Sequence, residues 1–236
     1  MSRRAIILAG GTGTRLRPYT VVLPKPLMPI GDFPILEVIV RQLVRCGFDR
    51  ITMAVNHQAE LIKAFFQDGA KWGLRIDYSL EDQPLGTMGP LRLIGDLPEH
   101  FLVMNGDILT DLDFAKLHDD HAASGSVFTI SSSCREDVID FGVLETDNGR
   151  LVNFREKPRA QYEVSMGVYM LSARVLDYIP RERLYGFDSL MLDLIAAGET
   201  VAVRRFGGYW LDIGRPDDYA RAIDEFAAMR ARFLDG

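Results

Sequence analysis

"AIILAGGTGTRLRPYTVVLPKPLMPIGDFP", Ala5 to Pro34, decides how the rest of the chain is read. Its first residues form a short, β-branched and nearly continuous apolar run, the composition of a strand buried on both faces. Glycines end the run at once. Arg15 follows them, and Lys25 stands ten residues further on, between Pro24 and Pro26. A strand that opens into free backbone N–H groups can cradle anionic oxygens. The glycines let the chain turn tightly, Arg15 adds a planar fork of donors, and Lys25 is a point charge on a stiffened support. Two common glycine loops are excluded. There is no Lys-Ser/Thr pair of a Walker A loop, and Leu16 stands where a dinucleotide fingerprint needs its third glycine.

Outward from this stretch the pattern alternates. "ILEVIVRQLVRC" (35–46) has helical periodicity and Gly47 stops it. "RITMAVN" reads as a strand, "QAELIKAFFQ" as a helix, "LRIDYSL" as a strand, "GTMGPLRLI" as a helix, and "HFLVMNGD" as a strand ending at Asp107. Such β-α-β alternation predicts an α/β fold, a doubly wound, mainly parallel mixed sheet flanked by helices. Ligands of such sheets bind outside the carboxyl ends of the strands, where the glycine loop and Asp107 both fall. The second half is richer in strands, with helices expected around 172–178 and 187–197 and from Pro216 onward. No linker is visible. One domain over 1–236 is expected, with a first half (1–110) and a second half (111–236) that extends and covers the same sheet.

The chain has 236 residues, 47% of them hydrophobic, and a net charge of -6. That allows a sizeable core and argues against a broad nucleic-acid surface, which needs clustered Lys and Arg. Cys46 and Cys134 form no metal-binding motif and read as reduced structural thiols. No signal peptide and no run long enough to span a membrane is present, so a cytoplasmic protein is expected. His118 and His121, at i, i+3, read as part of a solvated acidic helix face. His57 reads as a turn residue at the crevice rim.

Two carboxylates stand out. Asp107 ends a strand, a place suited to holding Mg²⁺ against a phosphate, although an isolated Asp there is more often a turn or cap. Asp212, in "YWLDIG", lies between apolar residues and needs a cation or a hydrogen-bond partner. "FREKP" carries Glu156 and Lys157 at a strand end, where a plain surface pair is the ordinary reading.

The opening stretch closely resembles the signature of the sugar-1-phosphate nucleotidylyltransferases, the nucleoside-diphosphate-sugar pyrophosphorylases, with further matches along the whole chain. The resemblance implies a Rossmann-like fold of the nucleotide-diphospho-sugar transferase type. It implies transfer of a nucleotidyl group from an NTP to a sugar 1-phosphate, giving an NDP-sugar and pyrophosphate. It assigns Mg²⁺ to Asp107 and Asp212, and catalytic roles to Arg15 and Lys25. Leu8, Gly10, Gly11, Gly13, Thr14 and Arg15 would seat the nucleotide. In "EDQPLGTMGPL", Gln83, Gly86 and Thr87 would meet the base. Gly142, Glu156, Lys157 and Tyr169 would bind the sugar phosphate, with Trp210 beside them, unless the two aromatic residues are core. Ser165 and Met166 stand where the family usually carries Asn. The Leu-Gly-Thr form and the absence of a β-helix extension lean toward GTP and mannose 1-phosphate. UTP or dTTP with glucose 1-phosphate, GTP with heptose 1-phosphate, UTP with N-acetylmuramate 1-phosphate, and a non-catalytic nucleotide-sugar sensor stay open. So does a different phosphorylated acceptor, such as a molybdopterin or polyol phosphate. A homodimer is an expectation from the family.

Overall fold

A computed structural model describes residues 2–11, 13–56 and 59–234; His57 lies outside the described residues. The first half contains β1 (Arg4–Leu8), a small hairpin of β2 (Pro29–Ile30) and β3 (Phe33–Pro34), α1 (Ile35–Arg45), β4 (Arg50–Val55), α2 (Ala59–Phe66), β5 (Arg75–Leu80), β6 (His100–Asn105) and β7 (Ile108–Thr110). Then follow α3 (Phe114–Ser124), β8 (Phe128–Val138), β9 (Val143–Asp147), β10 (Arg150–Arg155), β11 (Arg159–Ser172), α4 (Phe187–Ala196), β12 (Val201–Arg205), β13 (Trp210–Asp212) and α5 (Pro216–Leu234).

Among the described residues the main sheet has seven strands in the order β12-β8-β11-β6-β1-β4-β5. β1 is parallel to β4 and β6, and β4 to β5. β11 runs antiparallel to β6 and β8, and β12 is parallel to β8. The strands of the second half therefore extend the first sheet. Side chains alternate across it: Ala5 and Ile7 of β1 join the cluster under α1 and α2, and Ile6 joins the one under α4. On α1, Leu36, Ile39, Val40 and Leu43 recur at helical spacing and pack into the first cluster. A third cluster joins Leu16, Ile30, Leu211 and Ile213 to Phe226 and Phe233 of α5.

Two features reach beyond the sheet. β13 pairs with β7, setting Asp212 opposite Ile108. β8 and β11 continue outward as an arm that carries the largely exposed β9–β10 hairpin. The β11 register shifts between Ser165 and Tyr169, a bulge centred on Met166–Val168. Gly167 sits there at φ 71, and a Cβ on it would stand 2.6 Å from the Asn105 side chain. "SMG" is thus a bulge-former.

Some expectations need correction. The segments at Gly89–Leu93 and Ala173–Tyr178 are 3-10 turns rather than α-helices. Each is cut short by breakers, Gly95 and Pro98 after the first and Pro180 after the second. His118 and His121 do not lie on a solvated face. His121 is 1% exposed, and its Nδ1 lies 2.7 Å from Thr129 Oγ1. The helical period places it with Phe114 and Leu117 on the inner face of α3, while Lys116 and Asp120 pair outside.

Candidate active site

The stretch that opened the sequence leaves β1 at Leu8 and folds over the carboxyl ends of the parallel strands. Ala9 N donates to Ala54 O (2.8 Å) and Gly106 N to Leu8 O (3.0 Å), which ties β1, β4 and β6 together at that edge. Thr20 Oγ1 donates to Gly13 O (2.7 Å) and closes the loop. Pro24 and Pro26 flank Lys25 in a tight turn. It heads a short 3-10 turn, with Leu27 N on Pro24 O (2.8 Å) and Met28 N on Lys25 O (3.1 Å). The lysine is buried, and its ammonium donates to Asp107 Oδ2.

A cavity of about 680 Å³ lies over these strand ends. Of the residues proposed for the nucleotide, Leu8, Gly10, Gly11, Arg15, Gln83, Gly86 and Thr87 line it, together with Lys25 and Asp107. Gly13 and Thr14 do not. The base segment is pinned from behind. Tyr185 N donates to Leu85 O (2.8 Å), and Met88 N and Gly89 N donate to Tyr185 O (3.0 and 3.1 Å). Gly86, at φ 79, passes so close to this strap that a Cβ would meet Tyr185 O at 2.7 Å. The Thr87 hydroxyl accepts from Phe187 N (2.8 Å) and so holds the start of α4.

Sequence reading passed over one wall residue. Glu81 lines the cavity at the end of β5; one carboxylate oxygen accepts from Leu85 N (3.1 Å). Burial pushes its carboxyl above the usual range, opposed by that N–H. The other oxygen would stand 3.2 Å from a Cβ on Gly10, so it faces the phosphate loop. The signal was present as an acidic residue closing an apolar strand, the same signal used for Asp107.

Asp107 and Asp212 do come together. β13 brings Asp212 beside the turn that carries Asp107, with Ile213 N donating to Asp107 O (3.1 Å). Burial raises the Asp212 carboxyl above its ordinary range, and the charge of Asp107 raises it further, while Lys25 and Arg15 pull the other way. Asp107 Oδ1 is buried with no hydrogen-bond partner among the described residues. The Arg15 guanidinium and Asp212 Oδ2 both approach Gly214, each 3.5 Å from where its Cβ would be.

A second cavity of about 500 Å³ opens on the far side of Asp212. It is walled by Arg15, Trp210, Asp212 and Arg215 on one side and by Ser133 to Glu136 of β8 on the other. Trp210 Nε1 donates to Met166 O (3.0 Å), so the β11 bulge fixes the indole. Gly142, Glu156 and Lys157 line neither cavity. They lie at the base of the exposed hairpin, where Glu156 and the Phe154 ring close on Gly142 and Lys157 Nζ pairs with Asp140 (2.7 Å). Tyr169 is core: its ring stacks on Phe187 at 4.8 Å and its hydroxyl meets Ser165 Oγ at 2.9 Å.

A cavity at strand ends, a buried lysine and two neighbouring carboxylates define the site of this α/β protein. The chain belongs to the nucleotidyl transferase family, whose profile matches residues 4–228. It is 35% identical over 241 residues to a UTP–glucose-1-phosphate uridylyltransferase of Synechocystis sp., covering 93% of this chain and 62% of that one. It is 33% identical over 224 residues to the mannose-1-phosphate guanylyltransferase catalytic subunit beta of Dictyostelium discoideum, covering 92% and 62%. The chain thus spans about 62% of the length of these relatives. Among solved structures it resembles HddC from Yersinia pseudotuberculosis complexed with GMP-PN, at TM-score 0.72 and 27% identity over 95% of this chain and 99% of that one. No helix among the described residues is long and apolar enough to cross a membrane.

Proposed function

We propose that the chain transfers a nucleotidyl group from an NTP to a sugar 1-phosphate, releasing pyrophosphate, with GTP and mannose 1-phosphate as substrates. The observation that carries this reading is the Lys25–Asp107–Asp212 group where the two cavities meet. A phosphate oxygen of the acceptor attacks the α-phosphorus. The new O–P bond forms as the bond to the β-phosphate oxygen breaks, and pyrophosphate leaves with that electron pair. The attacking phosphate is already ionised, so no general base is needed. The protein's part is positioning and charge neutralisation. Lys25, held rigidly by its prolines, faces the transferring phosphate. Arg15 draws charge from the leaving pyrophosphate. The backbone at Gly10 and Gly11 seats the triphosphate, Gln83 and Gly86 border the base, and the hairpin brings Glu156 to sugar hydroxyls and Lys157 to the acceptor.

Mg²⁺ fits the residues present. Asp107 Oδ1 is a buried oxygen without a partner, and Asp212 faces it. No cluster of three or more metal-binding side chains exists among the described residues. Mg²⁺ does not need one, since it takes one or two carboxylates and leaves other positions to phosphate oxygens and water. When bound, it supplies charge neutralisation at the α-phosphate.

The base reading is supported by Glu81 and by the guanylyltransferase relative and the GMP-PN complex. A carboxylate is acceptor-only, matching guanine's N1–H and N2–H donors; uracil and thymine present one such donor between two acceptors. The test is pyrophosphate release over the four NTPs crossed with a panel of sugar 1-phosphates. GTP with mannose 1-phosphate is expected to lead, and Glu81→Gln to lower the GTP:UTP ratio of kcat/KM about 10-fold, the worth of one charge-assisted base contact. Silence with every pair would return the chain to a sensing role. A UTP preference unchanged by the substitution would refute the guanine reading.

A further inference from the structure

The turn that borders the base is held from behind by a segment with little regular structure of its own. Pro180 follows the 3-10 turn, and residues 181–186 run irregularly to the start of α4. Of residues 181–186, Tyr185 alone is buried. Its N–H donates to Leu85 O, and its carbonyl accepts from Met88 N and Gly89 N. The contact is backbone on backbone. A Cβ on Gly86 would meet Tyr185 O at 2.7 Å, and one on Gly89 would stand 3.2 Å from Arg183 O. Chains packed this closely shift together. The Tyr185 ring lies in the apolar cluster under α4 with Met88 and Leu190, and its hydroxyl donates to Asp193 Oδ2. Burial, and then the bond to Asp193, raises that hydroxyl to about 12, so it stays a donor well above neutral pH. Asp193 stands on the exposed side of α4, while Leu190 and Leu194 fix the helix in the cluster. A hydrogen-bonded line thus runs from the helix to the cavity wall. Asp193 accepts from the Tyr185 hydroxyl, Tyr185 N donates to Leu85 O, and Leu85 N donates to the Glu81 carboxylate. Phe187 N, in the first turn of the same helix, holds the Thr87 hydroxyl beside it.

We infer that Asp193, through the hydroxyl of Tyr185, positions the turn at 81–87 and so sets how well the enzyme tells one nucleotide base from another. Neither residue lines a cavity, so both are positioning residues. This rests on the nucleotidyl-transfer reading, with the base against Glu81, and adds what holds that wall in place. A base edge is read by hydrogen bonds that weaken steeply with misalignment. A turn free to shift therefore loses discrimination between bases first. The phosphate loop and the Lys25–Asp107–Asp212 group are held by other elements, so the chemical step and the acceptor do not depend on this line.

Tyr185→Phe keeps the ring and removes the hydroxyl. Asp193→Ala removes the acceptor at an exposed helical position, where Ala favours the helix. Glu199→Gln is the control: it weakens a similar bond, Tyr178 hydroxyl to Glu199 Oε1 (2.8 Å), beyond the other end of α4 and away from the base turn. Calorimetric titration of the full chain with GTP and with UTP reads binding without turnover, and thermal melting checks the fold. Tyr185→Phe and Asp193→Ala are each expected to narrow the ratio of the two dissociation constants about 3- to 10-fold, the worth of one hydrogen bond. In steady state KM for the preferred NTP should rise, with kcat and KM for the sugar 1-phosphate held within about twofold. The double variant should do no worse than either single one, because both cut the same line. Glu199→Gln should leave the ratio alone. If Tyr185→Phe does not fold, Asp193→Ala decides the question by itself. A ratio unchanged in the folded variants would overturn the inference while transfer stands. So would a fall in kcat with the ratio held, or an equal effect of Glu199→Gln, which would mean a general loosening of α4. Equal or absent binding of the two nucleotides by the unsubstituted chain would overturn it too. If the ratio narrows as expected yet no NTP is turned over with any sugar 1-phosphate, the positioning line stands and nucleotidyl transfer falls.

Discussion

Asp107 divides its oxygens between Lys25 and a buried position that has no partner. Asn in its place keeps the shape and removes the charge that both Lys25 and a cation need. Asp107→Asn and Asp212→Asn should therefore each lower pyrophosphate release about 10²- to 10⁴-fold, the worth of several kcal/mol of charge stabilisation, while the circular-dichroism melt stays within a few degrees. Near-normal turnover in either variant would remove the carboxylates from the site. At this scale the sequence was legible wherever a motif carried the residue. Arg15, Lys25, Asp107 and Asp212 were all named from the chain, and the structure places them around one centre. Glu81 escaped, because a charged residue at a strand end declares nothing until the fold shows what it faces. Tyr169 was read toward the sugar, but strand alternation turned its ring to Phe187.

Most elements were read correctly; the segments at Gly89–Leu93 and Ala173–Tyr178, cut short by breakers, were not. β1, α1, β4, β5 and β6 follow their apolar patterns. β7 and β13 are three residues each, too short for any period, yet they bring Asp107 to Asp212. α3 was recognised as a helix with its inner face misjudged. Its His121 ring meets Thr129, lies 5.1 Å edge-on from His100, and feels the charge of His118. Burial first, and then the repulsion of His100 and His118, lowers its pKa to about 4 from 6.5. The unfolded chain binds this proton below about pH 6.5 and the folded chain only near pH 4, so its contribution is whole above 6.5 and fades as pH falls toward 4. The loss should reach on the order of 3 kcal/mol at the acid end. Urea midpoints between pH 8 and 4 should slope less for His121→Gln than for the unsubstituted chain. Identical slopes would show that α3 docks without this histidine.

Over the whole molecule, the third apolar cluster binds the first loop to the last helix. Phe226 and Phe233 are buried against Leu16 and Ile213, the neighbours of Arg15 and Asp212. Phe233→Ala should cost about 3–5 kcal/mol of stability, as removal of a buried aromatic ring does. It should also depress kcat in the range where the fold still holds, because the two functional residues lose a common backing. Full activity per folded molecule, read from parallel urea and turnover curves, would show that the ends of the chain are independent. No local pattern announces this tie; it joins residues about two hundred positions apart. Arg15 carries the same logic into the solvent-facing side, since its one guanidinium borders both cavities. Two anions arriving on either side must share that single charge. Should anions occupy both cavities, what one gains or loses at Arg15 would be felt by the other, by an equal factor whichever enters first.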